Sequence, residues 1–317
     1  MLAWILTAPA AQVEGTRVPC PDGEGEVVVN RLIAQNTVGG WDSDGARYSG
    51  GGNFRELAVS TCSSGLSLLG ADMGRGLSPA MMAKVEAVLQ QIRAEHPGED
   101  LTALPAHVRH GFAARIYGAL DQPEKEVQLW MSASWLARDQ GVGLFKGLDG
   151  PVMARLMLTA GERQLKNELA PATRKQLTFN LAVVAARGGY PNLRNGYLEQ
   201  VEAMELTEDE AERVSALRRA IPLEAAYQDK AIAALSRTLI QRHGPSRITA
   251  TYQLADLLRR RGKADKALGY YQIVAASEEV PEELTELAAY FVAELGGGEP
   301  WETKRFQKIG GLQAPEP

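Results

Sequence analysis

The sequence predicts a mainly α-helical protein in which consecutive helices pair antiparallel and stack in series. From about residue 76 to residue 296, apolar residues recur with the 3.6-residue period of amphipathic helices. Most connectors between these segments are short, as in helical hairpins that follow one another along the chain. Aromatic residues make up only 6% of the chain, and this favours helices packed closely through small residues.

Length and composition limit the classes of protein to consider. The chain has 317 residues, enough for one large or two modest domains, and 45% of them are hydrophobic, too many for a disordered protein. The net charge of -5 argues against nucleic acid as the main partner, because duplex binding needs Lys and Arg to neutralise phosphates. No apolar stretch reaches the roughly 18 residues that a membrane span requires.

The sequence predicts four segments along the chain. Residues 1–15 resemble the end of a secretory signal peptide, because an apolar run to Leu6 is followed by small residues in an Ala8-x-Ala10 pattern. They predict export to the periplasm or beyond, the alternative being a short hydrophobic strand in a cytoplasmic protein. Residues 16–75 form a small β-rich module, 76–296 the helical domain, and 297–317 a flexible tail.

Within the β-rich module, strands are expected at 27–33 and 57–62, separated by a turn-rich stretch. The first helix of the next domain starts after Ser78, an N-cap followed by proline. Later helices are predicted at 105–120, 123–139, 150–168, 172–187, 192–204, 207–220, 223–242, 246–261, 264–277 and 282–295.

The clearest repeated unit covers residues 248–281, where Gly262 separates two helices that each carry a stripe of apolar residues. The pattern of large, small, aromatic and turn residues resembles the tetratricopeptide (TPR) repeat signature. The residues that carry this resemblance are Leu254, Ala255, Leu258, Gly262, Ala267 and Tyr271. Small residues let two helices approach, and one pair cannot bury its apolar face alone, so a TPR-like α-solenoid is expected.

A second unit at 110–137 places Tyr117, Trp130 and Ala133 at matching positions. The predicted turns at 121, 189 and 262 are separated by 68 and 73 residues, close to twice the TPR period of about 34 residues. The alternative is a generic helical bundle that shows the same stripes. In some TPR domains Lys and Asn grip a C-terminal carboxylate, but the corresponding residues here are Tyr252 and Asp256.

The two cysteines stand in Cys20-Pro-Asp-Gly23 and Cys62-Ser-Ser-Gly65, which have the form of two zinc knuckles whose second cysteine is glycine. The chain resembles a bacterial family of unknown function that joins a Cys-Pro-x-Cys…Cys-Pro-x-Cys module to TPR-like helices. The resemblance covers most of residues 18–275. It includes Asp42, Asp44 and Tyr48 in the module, and 114–117 and 135–139 in the helices.

The resemblance implies a zinc-ribbon-like module that has lost two of its four metal ligands, so neither a metal nor a cofactor is expected. Ligands that converge on one ion lie within disulfide range of each other. In an exported protein, Cys20 and Cys62 would therefore form a disulfide that holds the module together. The alternative is a pair of reduced, buried cysteines.

Other polar groups give weaker predictions. His107-x-x-His110 is expected to be a solvated pair, because no third metal ligand accompanies it. Asp42-x-Asp44 resembles the start of a calcium loop that lacks its later ligands. The basic run Arg259–Arg261 is expected to be a solvated helix end.

We found no nucleophile or zinc-protease motif, so the chain is predicted not to be an enzyme. The favoured hypothesis is a non-catalytic scaffold that binds a protein partner, within an exported or periplasmic assembly. The alternative is a cytoplasmic metal-binding or enzymatic protein with a site between the β-rich module and the first helices, using Asp42, Asp44 or His107.

Overall fold

The computed structural model describes residues 12–34, 40–48, 54–142, 148–303 and 305. The described part of the chain is mainly helical, with eleven α-helices and six short strands. Most of the predicted signal-peptide remnant and most of the predicted tail lie outside the described residues.

Two antiparallel strand pairs form the β-rich part. Strand β1 (Gln12–Pro19) pairs with β2 (Glu26–Ala34), so that Thr16 lies opposite Val29. Strand β4 (Val59–Thr61) pairs with β5 (Ser67–Leu69). The remaining strands are the two-residue segments β3 (Gly40–Trp41) and β6 (Leu148–Asp149). The sequence predicted β2 and β4, but β1 has too few apolar residues to stand out, and β5 is very short.

The helices agree with the predicted segments to within a few residues, except for the four-residue α1, which was not predicted, and for α8, described below. Their bounds are α1 Gly70–Met73, α2 Pro79–Glu95, α3 Ala106–Ala119, α4 Pro123–Val142, α5 Gly150–Leu165, α6 Pro171–Gly188, α7 Pro191–Glu202, α8 Glu208–Leu239, α9 Gly244–Arg260, α10 Ala264–Ala275 and α11 Glu282–Leu295.

Helix α8 corrects the prediction of two helices separated near Pro222. It is continuous over 32 residues with Pro222 inside it. An interior proline removes one backbone hydrogen bond and costs about 3 kcal/mol. The buried side chains on both sides of the proline, among them Leu217, Ala220 and Gln228, explain why packing overrides this local cost.

The three predicted turns have the same backbone form. Asp121, Gly189 and Gly262 all adopt positive φ, at 56°, 75° and 70°. In each turn the next residue's N–H donates to a carbonyl five positions back: Gln122 to Tyr117 at 2.9 Å, Tyr190 to Ala185 at 2.8 Å, and Lys263 to Leu258 at 2.9 Å. This is the Schellman ending of a helix. The following helix then starts at Pro123, Pro191 or Ala264, so three hairpins (α3–α4, α6–α7 and α9–α10) share one turn design.

The residues predicted to pack these hairpins are buried, except for Gly262, which lies exposed in its turn. The buried ones are Tyr117, Trp130, Ala133, Leu254, Ala255, Leu258, Ala267 and Tyr271. Tyr271 stacks on Phe291 of α11, with ring centroids 4.8 Å apart, so the aromatic residue joins its hairpin to the next helix.

The contacts divide the chain into two compact units that differ from the predicted domains. Unit 1 comprises Met1–Gly40, Arg47–Lys146 and Ala220–Ala234. Unit 2 comprises Trp41–Ala46, Gly147–Arg219 and Leu235–Pro317. The β-rich residues therefore share a unit with α2–α4, because β4 and β5 pack on α3. A short loop from the β-rich module, residues 41–46, belongs to unit 2.

Candidate functional site: a buried aspartate–arginine network beside a cavity

Cys20 and Cys62 are joined by a disulfide in unit 1, with their Cα atoms 6.1 Å apart. Each cysteine begins a tight turn that ends in a glycine at positive φ. In these turns Gly23 N–H donates to the Cys20 carbonyl, and Gly65 N–H to the Cys62 carbonyl, both at 2.9 Å. The two knuckle-like turns predicted from the sequence therefore exist, and their thiols are bonded to each other.

One acidic group lies beside the disulfide. A carboxylate oxygen of Asp22 and the two sulfur atoms lie within 4.8 Å of one another. The same carboxylate accepts a hydrogen bond from the Ser64 hydroxyl. Because the sulfur atoms are bonded together, the oxidised form does not offer two thiolates to a metal.

The loop of residues 41–46 repeats the backbone form of the cysteine turns. Gly45 N–H donates to the Asp42 carbonyl at 2.9 Å, and Asp42 N–H donates to the Ala46 carbonyl at 2.8 Å. Gly45 has φ 84°. The turn presents the side chains of Asp42, Ser43 and Asp44, which are all buried.

Arginines from two helices bind this loop within unit 2. Arg187, at the end of α6, donates to Asp42 Oδ1 at 3.1 Å. Arg260, at the end of α9, lies 3.5 Å from Asp44 Oδ2. Its Nη2 also donates to the Ser43 hydroxyl oxygen at 2.8 Å. The two aspartates weighed as calcium ligands are thus neutralised by arginine.

Asp256 of α9 is the third carboxylate of this network. Its two oxygens accept from Arg259 and Arg260, each at 2.8 Å, and from the Tyr271 hydroxyl at 2.9 Å. Burial alone would raise the pKa of Asp256, but the two guanidinium groups hold it well below its usual range. The formal charges of the network sum to zero, because Asp42, Asp44 and Asp256 are matched by three arginines: Arg187, Arg259 and Arg260.

One prediction fails in this network. Arg259 and Arg260 are each only 5% exposed, whereas the sequence predicted a solvated helix end. The error arises because their partners on the 41–46 loop, Ser43 for both arginines and Asp44 for Arg260, lie more than 200 residues earlier. Tyr252 is also buried, and its hydroxyl donates to the Ser43 carbonyl at 3.1 Å, so this position holds the loop inside unit 2.

The histidine pair lies in unit 1 and is buried, which corrects the prediction of a solvated pair. The Nδ1 of His110 donates to the Ala106 carbonyl at 2.8 Å, and burial lowers the pKa of His110 to about 4. His107 packs edge-on against Tyr227, with centroids 5.8 Å apart. Both are core histidines, and burial keeps them neutral at ordinary pH.

Tyr48 lies close to the segment at 135–139 that shares the resemblance described above. Its hydroxyl donates to Asp139 at 3.3 Å and accepts from Arg138 at 3.1 Å. Arg138 also pairs with Glu224 of α8 at 3.3 Å. These contacts tie the β-rich module of unit 1 to α4 and α8, which gives the residues a structural role.

A cavity of about 340 Å³ lies beside the aspartate–arginine network. It is formed wholly by residues of unit 2, at the turns that contain Gly189 and Gly262. It is lined by Arg155, Gly189, Tyr190, Pro191, Asn192, Leu193, Arg259, Gly262, Ala264, Glu294 and Leu295. Its volume falls in the range of about 300–1,000 Å³ typical of small-ligand sites. None of the residues proposed for the alternative enzymatic site lines it.

Glu294 and Arg155 give this cavity its charge. The Tyr190 hydroxyl donates to Glu294 Oε1 at 3.0 Å, and the Tyr290 hydroxyl also interacts with this carboxylate. The Nε of Arg155 lies 3.9 Å from Oε1, which is too long for a hydrogen bond. Burial raises the pKa of Glu294, although the nearby Arg259 and Arg155 oppose this effect. Sequence reasoning missed both residues, since nothing local distinguishes them from solvated charges on a helix.

Comparison of the chain with protein-family models, with curated proteins and with solved structures found no match. Among the described residues, no helix is both long enough and apolar enough to cross a membrane.

Proposed function

We propose that this chain is a non-catalytic interaction protein whose stacked, TPR-like helix pairs present a binding surface to a protein partner. The observation that carries the proposal is the cavity at two equivalent hairpin turns, where the chain exposes polar backbone and side-chain groups at a fixed place. Hairpins that repeat one turn design can stack and leave a recurrent surface for partners.

The aspartate–arginine network supports a scaffold better than an enzyme. A general base must reach the proton that it abstracts, and it needs a pKa near the working pH. Asp42, Asp44 and Asp256 are buried and bound to arginines, and the pKa of Asp256 is lowered. These groups therefore fix the loop to the helices and hold the lining of the cavity in place.

The disulfide supports an oxidising compartment, such as the periplasm or the cell exterior. Disulfides persist in such compartments and are rare in the cytosol of mesophiles. The Cys20–Cys62 bond is buried and closes a loop with a sequence separation of 42, so it constrains most of the β-rich module. An exported assembly is the setting that we propose.

Affinity capture from the source organism tests the proposal. Tagged wild-type chain, an Arg155→Met variant and a Lys166→Met control are purified under non-reducing conditions. Lys166 is exposed and does not line the cavity, so the control makes the same charge change elsewhere in unit 2. We expect a stoichiometric protein partner with wild type and control that is depleted with Arg155→Met. Absence of any stoichiometric partner would contradict the proposal.

One observation favours a second function, a metal site in a reducing compartment. Reduction of the disulfide would leave two thiols and the Asp22 carboxylate together, and thiolates bind zinc. Elemental analysis of chain purified with reductant tests it. One equivalent of zinc, lost in a Cys62→Ser variant, would support this alternative over the exported scaffold.

A further inference from the structure

We propose that the Cys20–Cys62 disulfide is a redox switch: its reduction by a dithiol detaches the β1–β2 hairpin from the rest of unit 1, which stays folded. The switch lies within unit 1 and does not depend on the partner site proposed for unit 2.

The β1–β2 hairpin has almost no packed interior. Of the residues described between Val13 and Ile33, Cys20 is the only one that is buried. Val28, Leu32 and Ile33 are 45%, 44% and 57% exposed. Two strands alone are marginally stable in water, and burial of apolar area is the main force that holds an element in place. The hairpin therefore has little hydrophobic attachment to its neighbours.

The noncovalent attachments of the hairpin are also few. The Val29 side chain packs against Gly70 of α1, and β2 lies beside β4. Among the described residues, three serine hydroxyls donate to the hairpin: Ser60 to the Val28 carbonyl at 3.0 Å, Ser63 to the Glu24 carbonyl at 3.4 Å, and Ser64 to the Asp22 carboxylate. Such hydrogen bonds make a small net contribution, because water competes for the same groups. The covalent bond is thus the main attachment.

The two cysteines have different surroundings. Cys62 belongs to the core of unit 1, where Leu66 and Leu68 are buried and the Cys62 Sγ lies 3.9 Å from Met73 Sδ. Cys20 is followed by a turn, residues 21–25, that is half-buried or exposed. Once the bond is broken, Cys62 stays in the core, whereas Cys20 leaves with the hairpin.

The reductant is a dithiol, and the exchange balances. One thiolate of the dithiol attacks a sulfur atom of the disulfide, the S–S bond breaks, and a mixed disulfide forms. The second thiol of the reductant then attacks the mixed disulfide, so the reductant becomes a disulfide and its two protons end on Cys20 and Cys62. Because the turn at 21–25 is not packed in the core, a small local opening lets the dithiol reach the sulfur atoms.

Hydrogen exchange of the whole chain, read by mass spectrometry, tests the proposal. Wild-type chain is compared before and after reduction with dithiothreitol, with a chelator present so that no metal bridges the two thiols. We expect exchange in β1 and β2 to rise by about tenfold or more on reduction, while the amides of β4, β5 and α3 keep their protection. Unchanged exchange in β1 and β2, or loss of protection throughout unit 1, would overturn the proposal.

Alkylation of the reduced, folded chain separates release of the hairpin from general unfolding. Peptide mapping measures the rate of iodoacetamide labelling at each cysteine. Cys20 should react about tenfold faster than Cys62, or more, since only Cys20 leaves the core. Equal labelling rates, or failure of dithiothreitol to reduce the folded chain, would contradict the switch.

A chain without either thiol is the matched control, made by combining Cys20→Ser with Cys62→Ala. It should show the exchange pattern of reduced wild type without any reagent, and dithiothreitol should not change that pattern. Oxidised glutathione should restore the protection of β1 and β2 in reduced wild type and have no effect on the variant. A variant with β1 and β2 as protected as in oxidised wild type would show that packing holds the hairpin, and this would refute the switch.

Discussion

Replacing Asp256 by asparagine tests whether the buried network holds unit 2 together. The Asp256 carboxylate accepts five hydrogen bonds: two from Arg259 and one each from Arg260, Tyr271 and Ser43. Asn puts an NH2 group in place of one oxygen, so at least two of these donors lose their acceptor, and three arginines face only two aspartates. Breaking a buried ion pair on one side costs about 3–5 kcal/mol. We expect the free energy of unfolding to fall by that amount.

Urea unfolding followed by circular dichroism measures this loss, with Asp265→Asn as the control. Asp265 is exposed on α10, so the same chemical change there should alter the free energy of unfolding by less than about 0.5 kcal/mol. A loss below about 1 kcal/mol for Asp256→Asn would contradict the role that we assign to the network.

Three further outcomes follow from other features. The contribution of Asp256 to the free energy of unfolding should be complete above the ordinary aspartate pKa of about 3.9 and should decline as the pH falls below it. The reason is that the pKa of Asp256 is lower in the native state than in the unfolded state. Asp256→Asn should therefore flatten this part of the curve of unfolding free energy against pH. Thiol titration in denaturant without reductant should find no free thiol, and Cys62→Ser should lower the free energy of unfolding by about 4 kcal/mol, as expected for a closed loop of this length. Pro222→Ala should raise the free energy of unfolding by about 1–3 kcal/mol, since it restores a backbone hydrogen bond inside α8; a lower value would show that the proline is needed there.

The helical part of the fold was predictable because its signals are local. Turns at Gly189 and Gly262 need a positive φ that glycine adopts without strain, and Pro191 is preorganised for a helix start. The amphipathic stripes then predicted the bounds of the helices between these turns to within a few residues. The exception, α8, shows a limit of local reasoning, because the packing on both sides of Pro222 is a tertiary effect.

The candidate site was less predictable, because its partners are far apart in sequence. Asp42 was a candidate from the Asp42-x-Asp44 pattern, but its partner Arg187 lies 145 residues later and no local pattern links the two. The cavity combines Arg155, the turn at Gly189 and Glu294 from three different helices or turns, and none of them forms a motif. The disulfide was predictable only through the knuckle-like turns that place Cys20 and Cys62.

Photo-crosslinking from the cavity tests the central proposal most directly. A photoreactive amino acid replaces Asn192, an exposed residue that lines the cavity, or replaces Lys166 as the control, and the cells of origin are irradiated. We expect one discrete protein adduct from position 192 and none from position 166. No adduct from position 192, or the same adducts from both positions, would contradict the account.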